Sequence, residues 1–559
     1  MLVRSRLAAA CAAHKAAPLA VLALLGAAHA GSTVGVDAAQ PKLANLPLSN
    51  RVVPSLFDIK VTNVAVAEGC TPVENPMPTV AGLTVNAYGY FSDGPLVPSA
   101  GGTTEATKSE PDKNTYLVIK GQKGADPDYN YGKRFLFQGH ESGPKDPATG
   151  LEAGCITRIN LDADGPHRVT VMATTDVNGV PLPDFDGSAW YPFSHRLLFT
   201  AELSGTTGGV WQSTLSVPAE VVDISSVTGR GGYEGIQADP FGNLWIVEDS
   251  GGSAGAVSTK AKQPNSFIYR LVPVNEADLL AGGALQVLQV ESLATPGQPI
   301  VFHPGQAEAD ITSQDVHDLH TYGLSFATKW ITIHDTTTDG FAPFDANALA
   351  KTAGGTPFKR PENGQFRPGV GFTEFYFTET GDTNADTQAG SAFGGFGGIM
   401  KLVQTSPDAD VGTLSPFYVG DVDHTGLDNL TFLTDTLLLS GEDRGDSLHA
   451  QHNALDSVWM FDTTADYGVP ASQPVRIVAE GRDSAATWDS SALGVVSGFQ
   501  NDGDNEITGV HVSDGNPTVG GLIGTAVPKP LHGLWRIFWT QQHGENTTWE
   551  IQRAQRLVN

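Results

Sequence analysis

The 559-residue chain holds only 3 cysteines and 5 methionines, and 17% of it is charged. No cysteine stands in a C-x-x-C or other zinc-type arrangement, which excludes a cysteine-built zinc site. No basic stripe interrupts a formal net charge of -28, which excludes a nucleic-acid partner that would need its phosphates neutralised. Past the N-terminal thirty residues no apolar run is long enough to cross a bilayer, so stable membrane insertion is not expected. There is no G-x-S-x-G elbow, P-loop or Rossmann fingerprint, and serine-hydrolase and nucleotide chemistry have no support. No long amphipathic helix can be traced.

What the chain does have is glycine, 64 of them, and many short β-rich runs. That pairing suits short strands joined by tight turns. Four runs share one ending, an apolar strand followed by an acid and a small-residue turn. They are Leu197–Gly205 (LLFTAELSG), Leu244–Gly252 (LWIVEDSGG), Phe375–Thr383 (FYFTETGDT) and Leu437–Asp446 (LLLSGEDRGD). A weaker copy is Arg134–Ser142 (RFLFQGHES). Each places a carboxylate at the mouth of a buried strand. Carboxylates that converge repel one another and need a cation or a proton. One reading is a hard-metal site of Glu and Asp oxygens; the other is that strands end in polar residues at the surface.

The N-terminus reads as a Sec-type signal peptide over residues 1–30. Arg4 and Arg6 form the basic region, Leu19–Leu25 lie in the apolar core, and Ala28-His29-Ala30 gives the cleavage pattern. The protein is therefore expected to be exported, periplasmic or extracellular. Residues 31–55 read as a linker, and residues 56–559 as one domain. Cys70 and Cys155 remain after cleavage, and the sequence leaves open whether they pair. Short helices are expected around Asn275–Leu280 and Phe344–Lys351, and loops over Gly94–Asn114, Thr380–Gly398 and Asp483–Asn505. The run DVHDLH, with His317 and His320, reads as a loop or a small metal patch. A strand–turn–strand phrase recurs in EGIQADPFGNLWIVEDSGG, in GLDNLTFLTDTLLLSGED and in EITGVHVSDG. Recurrence of this size points to propeller blades, in an all-β fold with long loops and few short helices; a sandwich is the alternative.

Taken in order, these phrases resemble the PhoX-type alkaline phosphatase family. RFLFQGHES, GSAWYPFSHRLLFTAE, GYEGIQADPFGNLWIVED, NSFIYRLVP, RPENG, GLDNLTFLTDTLLLSGED and NEITGVHVSDG follow the family's motif series over about residues 130–550. The resemblance implies a six-bladed β-propeller with a calcium-rich cluster at its channel mouth, acting on phosphate monoesters. By motif position the metal ligands would be Glu202, Glu234, Asp249, Glu362 and Asp443, and Arg360 would hold the phosphate. Secondary candidates are Glu141, Glu248, Glu379 and Glu442. In the adjacent pairs Glu248-Asp249 and Glu442-Asp443, one acid should point into the site and the other should make turn hydrogen bonds. The family's cysteine is missing, and Asp186-Gly187-Ser188 stands near its place. A hard oxygen set suits calcium, and loss of the thiolate puts iron in doubt. Tyr233 replaces the family's His.

The sequence thus supports an exported metal-dependent phosphoric monoester hydrolase resembling alkaline phosphatase. The alternative is a non-catalytic, calcium-stabilised propeller that binds a ligand or surface partner. A propeller lactonase or other metal hydrolase is a third reading.

Overall fold

Phe, Leu, Ile, Val and Trp in runs of five to eight favour strands, and the Gly- and Asp-rich segments between them turn the chain back. The computed structural model describes residues 61–94, 106–203, 205, 207–256, 261–382, 391–443, 456–480, 506–542 and 546–553. The segments expected to be a signal peptide (1–30), a linker (31–55) and a loop (483–505) lie outside the described residues.

The strands form a propeller. Four-strand antiparallel runs follow one another along the chain, each beginning with an innermost strand. These inner strands are Pro111–Val118, Ser188–Tyr191, Tyr233–Ala238, Pro361–Phe366, Leu427–Phe432 and Glu506–Ser513. Blades one to six are named here after them, in that order. Each inner strand touches the next, and the last returns to the first, which closes a ring. Blades three and four belong to one nine-stranded sheet, because Phe326–Asp335 pairs with the outer strand of each. The outermost strand of blade six is Val61–Ala67. It pairs antiparallel with Thr547–Arg553, so the two ends of the described chain are stitched into one sheet. That closure leaves no exposed inner edge.

The blades bury both faces against their neighbours. Hence second strands such as Leu244–Glu248 are buried at every position rather than alternately. Between blades three and four, Trp245 meets Phe366 and Phe375 at ring distances of 4.9 Å. Helices are short: the longest among the described residues, Ala346–Ala353, is capped by Asp345 and ends at left-handed Gly354.

Three expectations need correction. Pro111–Asn114 is the start of an inner strand rather than the end of a loop, because its polar residues line the ring's channel instead of a core. DVHDLH lies in a helix, Gln314–Leu319, since Ser313 caps it by accepting from Val316 N. Of the helix expected around Asn275–Leu280, only a single 3-10 turn at Leu279–Ala281 forms. Cys155 is a buried free thiol packed with Val85, Phe91 and Val171, so the one disulfide that the sequence allowed is not formed.

Candidate metal centre

The inner strands all begin at one end of the ring, and each begins with an acid. Asp112, Glu234, Glu362 and Asp428 are the second residues of their strands, Glu506 is the first of its own, and Asp186 precedes Ser188–Tyr191. In four blades a β-bulge sets the acid. Tyr233 faces Glu248 and Ile236 faces Ile246, so three steps on the inner strand meet two on its neighbour. The same slip occurs between Pro111 and Asn114, Pro361 and Gly364, and Leu427 and Leu430. A bulge breaks the alternation of side chains and re-aims them. Here it turns Asp112, Glu234, Glu362 and Asp428 toward the ring's mouth.

The acids then gather into three groups. Asp112, Glu141 and Asp186 form one, Asp186, Glu202 and Glu234 the next, and Glu234, Glu362 and Asp428 the third. Within each, one oxygen per residue lies within 4.8 Å of the others. Asp186 and Glu234 each belong to two groups, so the three run into one another. Asp443 is near enough that its charge raises Asp428 and Glu506. Asp249 joins through Arg360, whose Nε donates to Asp249 Oδ2 at 2.8 Å and whose Nη2 stands 3.6 Å from Glu362 Oε1. Glu202, Glu234, Asp249, Glu362, Asp443 and Arg360 are therefore brought together, from four different blades.

The secondary candidates divide. Glu141 lies in the mouth, where Gln542 Nε2 donates to it at 2.6 Å. Glu248, Glu379 and Glu442 turn back between strands. Glu248 accepts from Phe267 N, Tyr269 OH and Asn347 Nδ2. Glu379 accepts from Lys359 N at 2.8 Å and sits 3.1 Å from His320 Nε2. Glu442 accepts from Thr425 N. Within each adjacent pair the strand's alternation sends the Glu one way and the Asp the other.

Burial raises the acids of the mouth, and their mutual repulsion raises them further. Asp186, Glu202, Glu234, Glu362, Asp112 and Glu506 are all held well above the ordinary carboxylate range, by burial first and by neighbouring acids second. Burial with Asp443 beside it pushes Asp428 up to about 7. Asp186 Oδ1 and Asp249 Oδ1 are among the buried oxygens with no hydrogen-bond partner among the described residues. Buried oxygens without donors, in a cluster of like charge, fit a hard cation such as calcium, which takes several oxygen ligands.

Arg360 is held in place by its own backbone. It has φ +52, a left-handed conformation that a side chain disfavours. Thr380 N donates to Arg360 O at 2.9 Å, and the preceding Lys359 ties its Nζ to Asp382 in a buried pair. Strain maintained this way is common where a side chain must be aimed. Burial lowers the guanidinium's affinity for its proton, but Asp249, Glu362 and Glu202 outweigh it. The side chain keeps 20% exposure, so one edge reaches solvent.

The two departures from the family's pattern fall in different places. Tyr233 points away from the mouth and donates to Thr228 O at 2.8 Å. Asp186, near the missing cysteine's place, lies at the junction of two acid groups. All three groups consist of carboxylates alone. Gly187 beside it has no room for a side chain, since a Cβ would strike Glu234 O.

Four acids escaped the sequence reading: Asp112, Asp186, Asp428 and Glu506. The shared pattern shows only when the blades are laid side by side. P-D-K-N, Y-E-G-I, P-E-N-G and L-D-N-L are the same bulged strand start in four blades, and N-E-I-T opens a fifth. Of these acids only Glu234 and Glu362 fall at motif positions of the family series.

Residues 256–517 match the family model of alkaline phosphatase PhoX. The resemblance read from the motifs holds over that span, which includes Arg360, Glu362, Asp428, Asp443 and Glu506. The match supports an alkaline-phosphatase-like, metal-dependent function, and the carboxylate groups can hold a metal. A comparison with curated proteins found no match. Among solved structures the chain is similar to YCF48 from Cyanidioschyzon merolae, at 10% identity and a TM-score of 0.29, covering 80% of this chain and 97% of that one. It is similar to Sqt1 from Chaetomium thermophilum at 10% identity and a TM-score of 0.29, covering 80% of this chain and 100% of that one. At such TM-scores these likenesses carry no argument. No helix among the described residues is long and apolar enough to cross a membrane.

Proposed function

We propose that the chain is an exported phosphomonoesterase of the PhoX type, working as one propeller domain over residues 56–559. In this reading Glu202, Glu234, Asp249, Glu362 and Asp443 hold calcium at the ring's mouth. Asp112, Glu141, Asp186, Asp428 and Glu506 complete the set. The observation that carries the reading is the run of three acid groups sharing Asp186 and Glu234, with Arg360 beside it. The family match includes that arginine and Glu362.

When bound, calcium would supply charge stabilisation for a transferring phosphoryl group. Arg360 would bind two phosphate oxygens through its planar fork. Asp249 and Glu362 orient that fork by gripping its inner side. Thr380 Oγ1 donates to Glu362 Oε1 at 2.5 Å and fixes which oxygen remains for a ligand. Substrates in this reading are small phosphate esters that can enter the mouth. The all-carboxylate donor set favours calcium over iron.

A second reading draws on that same donor set. Without a thiolate, the centre would bind calcium and stabilise the ring with no catalysis. One assay separates the two. Purified protein with calcium should hydrolyse an aryl phosphate at alkaline pH, and a chelator should abolish the activity. Tight calcium binding with no hydrolysis, under calcium, iron or both, would establish the non-catalytic reading instead.

A further inference from the structure

The acid cluster contains a cation of its own. Lys113 follows Asp112 in the bulge of blade one, and its side chain is 3% exposed. Blade four lies opposite blade one in the ring. Lys113 Nζ crosses the channel and donates to Asn363 Oδ1 of blade four. Asn363 occupies the matching second bulge position, directly after Glu362. The ammonium lies among Asp428, Glu234, Asp112 and Asp186, so it faces members of all three acid groups. Gly235, the second bulge residue of blade three, leaves the approach open. A Cβ there would lie 2.9 Å from Asn363 Cα and 3.0 Å from Asn363 Oδ1, the atom that Lys113 reaches.

Such a placement costs free energy unless it serves the charges around it. A lysine in an apolar wall has no such partners; this one is surrounded by acids, and one of them, Asp186, keeps a buried oxygen with no donor.

We propose that Lys113 is a tethered counter-ion that fills one cation position in the acid cluster, so that this ring binds one divalent cation fewer than its carboxylates would otherwise hold. The inference rests on the reading of the mouth as a calcium centre. It explains how a ring with this many buried acids can form before calcium arrives after export: one positive charge is already built in.

Calcium titration of chelator-stripped protein tests it, by calorimetry and by elemental analysis after gel filtration. Lys113→Met keeps the length of the side chain and removes the charge. It should bind one more calcium ion per chain than wild type. Its melting temperature should fall below wild type in chelator and recover with calcium. Lys113→Arg should keep the wild-type stoichiometry. Should Lys113→Met fail to fold even with calcium, the double variant Lys113→Met/Asp428→Asn removes one charge of each sign and should match the wild-type ion count; a lower count overturns the inference. Equal stoichiometry and affinity in folded wild type and Lys113→Met also overturns it, and leaves the calcium centre standing. No calcium binding by either protein overturns both.

Discussion

Acids meet at one end of this ring in two surroundings, a few ångströms apart, and the contrast shows what separates a structural acid from a ligand. Between the strands, Glu248 has three donors, Phe267 N, Tyr269 OH and Asn347 Nδ2. Glu379 has Lys359 N and His320 beside it. These side chains are buried but satisfied. One residue further on, Asp249 keeps an oxygen with no donor, and Asp186 does the same across the mouth. The two sets differ little in burial or type. They differ in their neighbours: the acids of the mouth crowd other carboxylates within 4.8 Å, and a cation is the partner that relieves that repulsion.

The contrast is broken most severely by removing a ligand from the mouth. Glu362→Ala deletes an acid that belongs to one group and grips Arg360 as well. Aryl phosphate hydrolysis should stop, and calorimetry should show weaker calcium binding. Arg360→Ala should lower the rate about 10²–10³-fold, the usual loss for one charge-stabilising contact, with calcium binding retained. Arg360→Gly should lose the same activity yet melt higher than Arg360→Ala. Glycine tolerates φ +52 without the penalty of about 1 kcal/mol that a side chain carries there.

Glu248→Ala samples the other side of the comparison. It leaves three donors unpaired and should destabilise the fold by about 1–3 kcal/mol in denaturant unfolding. The calcium count should not change. A lost calcium ion in that variant would erase the distinction between the two sets.

The smallest effect is a slope with pH. Asp428 is pushed up to about 7 in the folded chain, while a free Asp titrates near 4. Between those values the folded state keeps a proton that the unfolded state has released, so raising the pH removes stability. Metal-free protein should therefore melt at progressively lower temperature from pH 5 to pH 8. Saturating calcium should flatten that slope, because cations replace the protons. A metal-free melting temperature that rises over this range would contradict the raised carboxylates.

Much of the ring was legible in the residues. Recurrent strand–turn–strand phrases located the inner hairpins of blades three and five and the inner strand of blade six, because each blade repeats the same physical task of burying two faces. Apolar runs that stop in a glutamate marked the strand ends at Glu202, Glu248 and Glu442, and the family resemblance, not the spacing, singled out Asp249 and Asp443. Asp112 and Glu506 were not found, since nothing in P-D-K-N or N-E-I-T alone separates a bulged strand start from a polar turn. Gly94–Asn114 read as a loop for that reason. Polar residues facing a channel and polar residues facing solvent look the same in a sequence.

The sequence by itself determined the strands, the turns, the acidity and the family pattern, because these depend on residue type and on neighbours close along the chain. Only the tertiary structure decided which acid of each pair enters the mouth, that Asp186 joins two groups, and that Lys113 reaches across to Asn363. Those outcomes depend on one extra residue in a bulge and on which blade stands opposite which. Ring closure sets both, by bringing together segments that are hundreds of residues apart.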